Sequence, residues 1–247
     1  MSESVPIAGW HAVTAALAAG RPVERVLMRD GRDDARARGL RERAELAGVP
    51  MASVPAGELD DLSPDVDHQG VVALVAPAEP LDEAALDGLL AAVDAPLVLA
   101  LDGVQDPHNL GACLRSAAAA GVTAVIVPKD RAAGLTPAAR KVAAGGAEVV
   151  PLVRVTNLAR TLKRLQADGL WVVGTAADAP ATIHAVDLKG PLVLVLGGEG
   201  GGMRRLTRET CDLLAAIPMA GGGVASLNVS VATGVCLFEA LRQRGTG

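Results

Sequence analysis

Leu97-Val-Leu-Ala-Leu-Asp-Gly-Val-Gln-Asp-Pro-His-Asn-Leu-Gly-Ala-Cys-Leu-Arg115 decides the fold class. The run Leu97 to Leu101 is uninterruptedly apolar, as a strand buried on both faces must be. A polar loop with a single glycine follows, and from about Leu110 the apolar residues recur with helical spacing. Two further polar junctions stand where an apolar run gives way to a helix-like run: Leu196-Gly-Gly-Glu-Gly-Gly-Gly-Met-Arg204 and Ser226-Leu-Asn-Val-Ser230. Open α/β sheets place ligand-binding loops at such junctions, so three of them point to one site.

Outward from this stretch the elements alternate. Strands are predicted at Val122 to Val127, Glu148 to Pro151, Leu170 to Gly174, Leu192 to Leu196 and up to Pro218. Helices are predicted at Pro137 to Ala144, Asn157 to Ala167, Arg208 to Leu213 and Val229 to Arg242. The alternation implies a mostly parallel sheet with helices on both faces. Toward the N-terminus a helix at His11 to Ala19, a strand at Val23 to Met28, an Arg-rich helix at Ala35 to Ala47 and strands at Met51 to Val54 and Val71 to Val75 imply a small α/β/α domain. Pro77-Ala-Glu-Pro80 reads as a linker, and Asp82 to Val93 has helical spacing. The expected division is residues 1–76, a linker with a leading helix at 77–95, and a second domain at 96–247.

Half of the 247 residues are apolar, enough for a substantial core. No uninterrupted apolar stretch approaches the length of about 20 residues that a membrane span needs. Met1-Ser-Glu-Ser-Val-Pro6 has neither a basic start nor an apolar signal core, so a cytoplasmic protein without a membrane partner is expected. Cys113, Cys211 and Cys236 are scattered, odd in number and without CxxC spacing, and read as buried thiols. His11, His68, His108 and His184 lack the i,i+4 spacing of metal ligands, and no metal is expected.

The formal net charge is −5, but it is unevenly spread. Ala44 to Leu114 holds thirteen acids and no Lys or Arg, leaving +8 on the rest. Lys129 to Arg164 holds eight basic residues against Asp130 and Glu148, which suits contact with phosphates. An ordinary solvated charged face has the same composition. Trp10, Trp171 and Phe238 are the only aromatics, so stacking of bases on aromatic rings contributes little.

A dinucleotide fingerprint does not account for the junctions: the loop after Leu97 to Leu101 has one glycine, and no Walker lysine follows Gly197-Gly-Glu-Gly-Gly-Gly202. In order and composition the three segments resemble the three motifs of the SpoU branch of the knotted SPOUT methyltransferases, which transfer a methyl group from S-adenosylmethionine to a ribose 2′-hydroxyl of RNA. Val125-Ile-Val-Pro-Lys-Asp-Arg131, Pro151-Leu-Val-Arg-Val-Thr-Asn-Leu-Ala-Arg160 and Met203-Arg-Arg-Leu-Thr-Arg-Glu209 are similar to the members that modify a guanosine of 23S rRNA. So are Gly9-Trp-His-Ala-Val13 and His68-Gln-Gly70 near the other end, although His68 to Gly70 also reads as domain structure. Ala220-Gly-Gly-Gly-Val224 carries one glycine more than the pattern, while Ser226 and Asn228 keep their spacing.

The resemblance implies an N-terminal RNA-binding domain, a SPOUT trefoil knot in the second domain, S-adenosyl-L-methionine as cofactor and a homodimer. It implies 23S rRNA, or a large-subunit assembly intermediate, as partner. Asn109, Arg115, Glu199, Ser226 and Asn228 take the catalytic positions, and Gly197, Ile217 and Leu227 those that hold the cofactor largely through main chain. A tRNA 2′-O-methyltransferase is the neighbouring alternative. A ribosome-assembly RNA-binding factor is the non-enzymatic one, disfavoured because Asn109, Arg115, Glu199 and Asn228 are all present.

On the residues themselves, methyl transfer to a ribose is mainly a positioning problem. An Arg side chain, with a pKa above about 12, suits an electrostatic clamp on phosphate and developing alkoxide better than a general base. The proton acceptor stays open between Glu199, a water and the phosphate. Asn109 is expected to cap its helix or bind RNA. Glu199 has as its alternative a carboxylate at a helix N-terminus. Ser226 and Asn228 read as caps of the last helix, and Ile217 and Leu227 as core.

Overall fold

The computed structural model describes residues 4–18, 22–64, 67–221, 223 and 226–245. Ala19 of the first expected helix and Gly222 and Val224 of the glycine-rich turn lie outside the described residues. Contacts divide the chain into two compact units, Met1–Ala78 and Glu79–Gly247.

The first unit runs β1 (Val5–Ala8), α1 (Trp10–Ala18), β2 (Val23–Arg29), α2 (Ala35–Leu46), β3 (Met51–Val54), α3 (Ala56–Leu62) and β4 (Val71–Val75). The sheet order is β1-β4-β2-β3, with β4 antiparallel to both neighbours and β3 parallel to β2. Alternation along β4 sends Val71, Ala73 and Val75 to a core with Trp10, Val13 and Leu17 of α1 and Leu40 and Ala44 of α2. Val72 faces the opposite side, with Leu59 of α3. The three α/β/α layers are those expected. β1 and α3 are additional: each is short, one carrying Pro6 at a sheet edge and the other Gly57, so neither leaves a periodic signal.

The second unit runs β5 (Leu81–Asp82), α4 (Ala85–Ala91), β6 (Leu97–Asp102), α5 (Pro107–Ala119), β7 (Ala124–Pro128), α6 (Pro137–Ala143), α7 (Gly146–Val149), β8 (Leu152–Val155) and α8 (Leu158–Ala167). It continues with β9 (Trp171–Thr175), β10 (Ala181–Thr182), β11 (Leu192–Gly197), α9 (Arg205–Thr210), β12 (Leu213–Ala216) and α10 (Val229–Gln243). The strands lie in the order β10-β12-β9-β11-β6-β7-β8-β5, and every pairing is parallel. Leu97, Leu99 and Leu101 of β6 point into one core with α5, α7 and α10. Val98 and Ala100 point into the other, with α4 and α8. Burial on both faces is why this strand reads as an unbroken apolar run.

Two expectations are corrected. Glu148 to Pro151 is not a strand: Gly146–Val149 is a helical turn, and the strand starts at Leu152. Ala144 and Gly145 take successive left-handed conformations, which turn the chain out of α6 into α7. There Glu148 is buried in an ion pair with Arg140 rather than alternating along a sheet. The helix expected at Arg208 to Leu213 lies earlier, at Arg205–Thr210, because Leu213 already belongs to β12.

Candidate active site

The C-terminal ends of β9, β11 and β12 surround a cavity of about 770 Å³, lined by Thr175 to Asp178, Leu196 to Met203, Arg208, Ala216 to Met219 and the start of α10 from Ser226 to Val229, with Ala232. This is the carboxyl edge of the parallel sheet, where the strand order departs from the chain order and ligand crevices form. Its size falls within the range of sites for drug-sized ligands.

Close backbone approach shapes the cavity wall. A Cβ at Gly198 would overlap the carbonyl oxygen of Gly103, so the loop after β11 can lie directly on the loop after β6 only if position 198 is glycine. Asp102, at the end of β6, completes the junction. Its side chain is fully buried and accepts from the Arg204 backbone N–H at 2.8 Å and from Arg204 Nε at 2.6 Å. A buried carboxylate needs such a partner; Arg204 ties the far end of the glycine loop to β6, while Gly198 N donates to the Asp102 carbonyl at 2.9 Å at the near end. On the opposite wall Arg208 makes a bidentate pair with Asp178 at 2.9 and 3.0 Å, which holds the Asp178 carboxyl below its usual range. Neither pair was among the residues singled out from sequence. The signal in the first case was an acid ending a fully apolar strand.

At the mouth, three motifs meet through side chains. Asn109 Nδ2 donates to Glu199 Oε1, and Asn228 Nδ2 donates to Asn109 Oδ1 at 3.0 Å. Asn228 Oδ1 accepts from Ser230 N at 2.8 Å and from Ser230 Oγ at 2.6 Å, so Asn228 is the N-cap of α10. Asn109 is not a cap: Asp106 fills that position of α5, accepting from His108 N at 2.9 Å, and Asn109 lies in the first turn with its amide directed outward. Nor does Glu199 start a helix, since it sits in the turn closed by the Gly198–Gly202 bridge, ahead of α9. Ser226 is exposed at the cavity. Gly197, Ile217 and Leu227 line it; Ile217 is half-buried and packed against the core, and Leu227 is half-buried.

Arg115 is not part of this network. Because α5 is helical from Pro107, it stands six residues beyond Asn109, about 9 Å along the axis and on another face. Its backbone packs on Gly146 at the start of α7, and its exposed side chain has no hydrogen bond or ion pair among the described residues.

The SpoU rRNA methylase family profile matches residues 96–238, and that of the RNA 2′-O ribose methyltransferase substrate-binding domain matches residues 6–81. The chain belongs to the SpoU rRNA methylase family. It is 58% identical over 246 residues to the 23S rRNA (guanosine-2′-O-)-methyltransferase RlmB of Pseudomonas aeruginosa, covering 99% of this chain and 98% of the relative. It is also 58% identical over 247 residues to RlmB of Pasteurella multocida, covering 99% of both. Among solved structures it resembles the SpoU methyltransferase AviRb of Streptomyces viridochromogenes in complex with S-adenosylmethionine. That likeness has a TM-score of 0.66 at 27% identity and covers 99% of this chain and 92% of that one.

Proposed function

We propose that this chain is an S-adenosylmethionine-dependent methyltransferase that modifies the 2′-hydroxyl of a guanosine ribose in 23S rRNA. The observation that carries the reading is the full-length correspondence to the 23S rRNA guanosine methyltransferases, which spans both units of the chain. When bound, S-adenosylmethionine supplies a sulfonium methyl group open to attack by an alkoxide. The cavity suits such a cofactor in size, and Gly197, Ile217 and Leu227, which line it, would hold it through their main chain. Asn109 and Glu199 orient the ribose, with Asn228 fixing the Asn109 amide. Glu199 Oε2 has no partner among the described residues and is available to a ribose hydroxyl. Arg115 clamps the phosphate next to the target, stabilising charge that develops on the 2′-oxygen.

The working form is a homodimer with the trefoil knot of the family, acting in the cytoplasm. Val231 and Phe238, seven residues apart on α10, support the dimer, being 51% and 49% exposed on one helix face. The residue-1–76 region serves as the RNA-binding element that selects the substrate, and its match to a substrate-binding profile supports this. Mapping ribose methylation in 23S rRNA from cells with and without the protein tests the activity: a single guanosine should lose its methyl group in the deletion strain. An unchanged methylation map would refute it. Sedimentation at assay concentration tests the dimer, and a fully active monomer would refute that.

A further inference from the structure

The order β11-β6-β7-β8 fixes the order of the loops along the carboxyl edge of the large sheet. The loop after β11 carries Glu199 and rests on Gly103, in the loop after β6. On the far side of that loop, Ala133 N donates to Val104 O at 2.8 Å, so Lys129 to Ala133, which follow β7, lie against the segment that feeds α5 and Asn109. One strand further, Arg154 of β8 donates from Nη2 to the Lys129 carbonyl at 2.7 Å. Lys129, Arg131 and Arg154 are all exposed, and with strands about 4.8 Å apart the ledge they form begins roughly 10 Å from the loop carrying Glu199.

The side chains of Lys129 and Arg131 have no hydrogen bond or ion pair among the described residues, and Asp130 is the one acid between them. Arg131 also sits in the left-handed region, with φ +57°. For a side-chain-bearing residue this conformation is strained, and no hydrogen bond or ion pair of the Arg131 side chain among the described residues offsets it. Arg154 spends one of its five N–H groups on Lys129 and keeps the rest of the fork for a ligand. Leu81 of β5, paired beside Val153, is an isolated exposed apolar side chain next to this ledge and forms no broad apolar face of the kind that binds membranes.

We propose that Lys129, Arg131 and Arg154 form a phosphate-binding ledge that holds the RNA strand next to the methylated nucleotide. The inference rests on the reading of the chain as an RNA methyltransferase and adds to it a path for the strand: from the cavity mouth, past the loop after β6, onto the ends of β7 and β8. The ledge sets affinity and register of the strand without touching the reacting atoms.

The test uses the full chain with transcribed, protein-free 23S rRNA. The double variant Lys129→Gln/Arg131→Gln should raise the KM for RNA at least tenfold and leave kcat within about twofold. The slope of log affinity against log salt should fall by about 1.4–1.8, since each phosphate contact contributes about 0.7–0.9. S-adenosylmethionine affinity and the thermal midpoint should not move. Arg131→Lys should keep most of the slope, which a purely structural role for the arginine would not predict. If the double variant fails to fold, Arg131→Gly relaxes the left-handed backbone and should still lose a slope of about 0.7–0.9. Unchanged slope and KM overturn the ledge, as does a loss confined to kcat. If wild-type protein methylates no 23S rRNA while the variant still loses the salt slope, the methyltransferase reading fails and the ledge stands.

Discussion

Asn228 Nδ2 donates to Asn109 Oδ1 across 3.0 Å, joining two positions 119 residues apart. The direction of this bond is set by a backbone group. Asn228 Oδ1 is held by the Ser230 N–H at the start of α10, so its amino group must face Asn109. With its oxygen taken, Asn109 can offer only N–H to Glu199. The N-cap of the last helix therefore orients an amide on α5 and, through it, a carboxylate on the glycine loop.

Cap and relay separate by substitution. Asn228→Ala should lose both, costing about 1 kcal/mol of stability together with activity. Asn228→Asp keeps an oxygen for Ser230 but sets a carboxylate against Asn109 Oδ1. Its thermal midpoint should stay near wild type while kcat falls about 10²-fold. A fully active Asn228→Asp enzyme would reduce the bond to a structural cap.

Arg115→Ala should cut methyl transfer by about 10²–10³-fold, in line with removal of one charge-stabilising group. S-adenosylmethionine binding by calorimetry should be nearly unchanged, because Arg115 does not line the cavity. Arg115→Lys should recover little, since a point charge lacks the bidentate fork. Near-normal turnover by the alanine variant would remove Arg115 from the reaction.

Gly198→Ala tests whether the cavity depends on loop-on-loop contact. The added methyl meets the Gly103 carbonyl, a backbone atom that cannot swing aside. A cost of about 1–3 kcal/mol is expected from the forced shift, together with a loss of cofactor affinity. Gly200→Ala should strain its left-handed backbone but meets no atom, and should spare more of the binding. Equal cofactor affinity in Gly198→Ala and wild type would count against this wall.

Much of this was legible in the sequence because both faces of the large sheet are covered. Strands such as Leu97 to Leu101 and Leu192 to Leu196 are then apolar throughout and cannot be mistaken for loops. Short or mixed elements escaped: Val5–Ala8, Ala181–Thr182 and the helical turn at Gly146–Val149 are too brief to show a period. At the site, Asn109, Glu199 and Asn228 were found as motif residues. Their mutual hydrogen bonds were not, because bonds spanning 90 and 119 residues follow from strand order and leave no local pattern. Asp102 and Arg204 escaped for the same reason, at a separation of 102.

The three thiols should be silent. Burial pushes Cys113 up to about 11 and Cys211 and Cys236 up to about 12, so none forms a thiolate at neutral pH. Labelling with a thiol reagent at pH 8 should be slow in the folded protein and reach three groups on denaturation. Rapid labelling of the native protein would contradict this packing.

Glu239 gives the fold an acid-sensitive anchor. On α10 its carboxylate accepts from Arg242 Nη2 at 2.8 Å, Arg242 Nε at 3.0 Å and Gln243 Nε2 at 2.8 Å, with His184 Nδ1 at 3.3 Å. The Arg242 guanidinium foremost, then the Gln243 amide, hold it down to about 2 from an ordinary 4.5. A carboxylate whose folded pKa is depressed contributes stability that is fully present above its unfolded value and lost as pH falls toward the folded one. Urea unfolding of wild type and Glu239→Gln should therefore differ most above about pH 4.5, and the gap should close progressively between there and about pH 2. The variant keeps one acceptor oxygen, for Gln243 and Arg242 Nη2, but loses the charge and the acceptor for Arg242 Nε, so it should be less stable at neutral pH and its stability should depend less on pH across that window. Parallel curves for the two proteins from pH 5 to pH 2 would show that the ion pair at the end of α10 carries no share of the acid response.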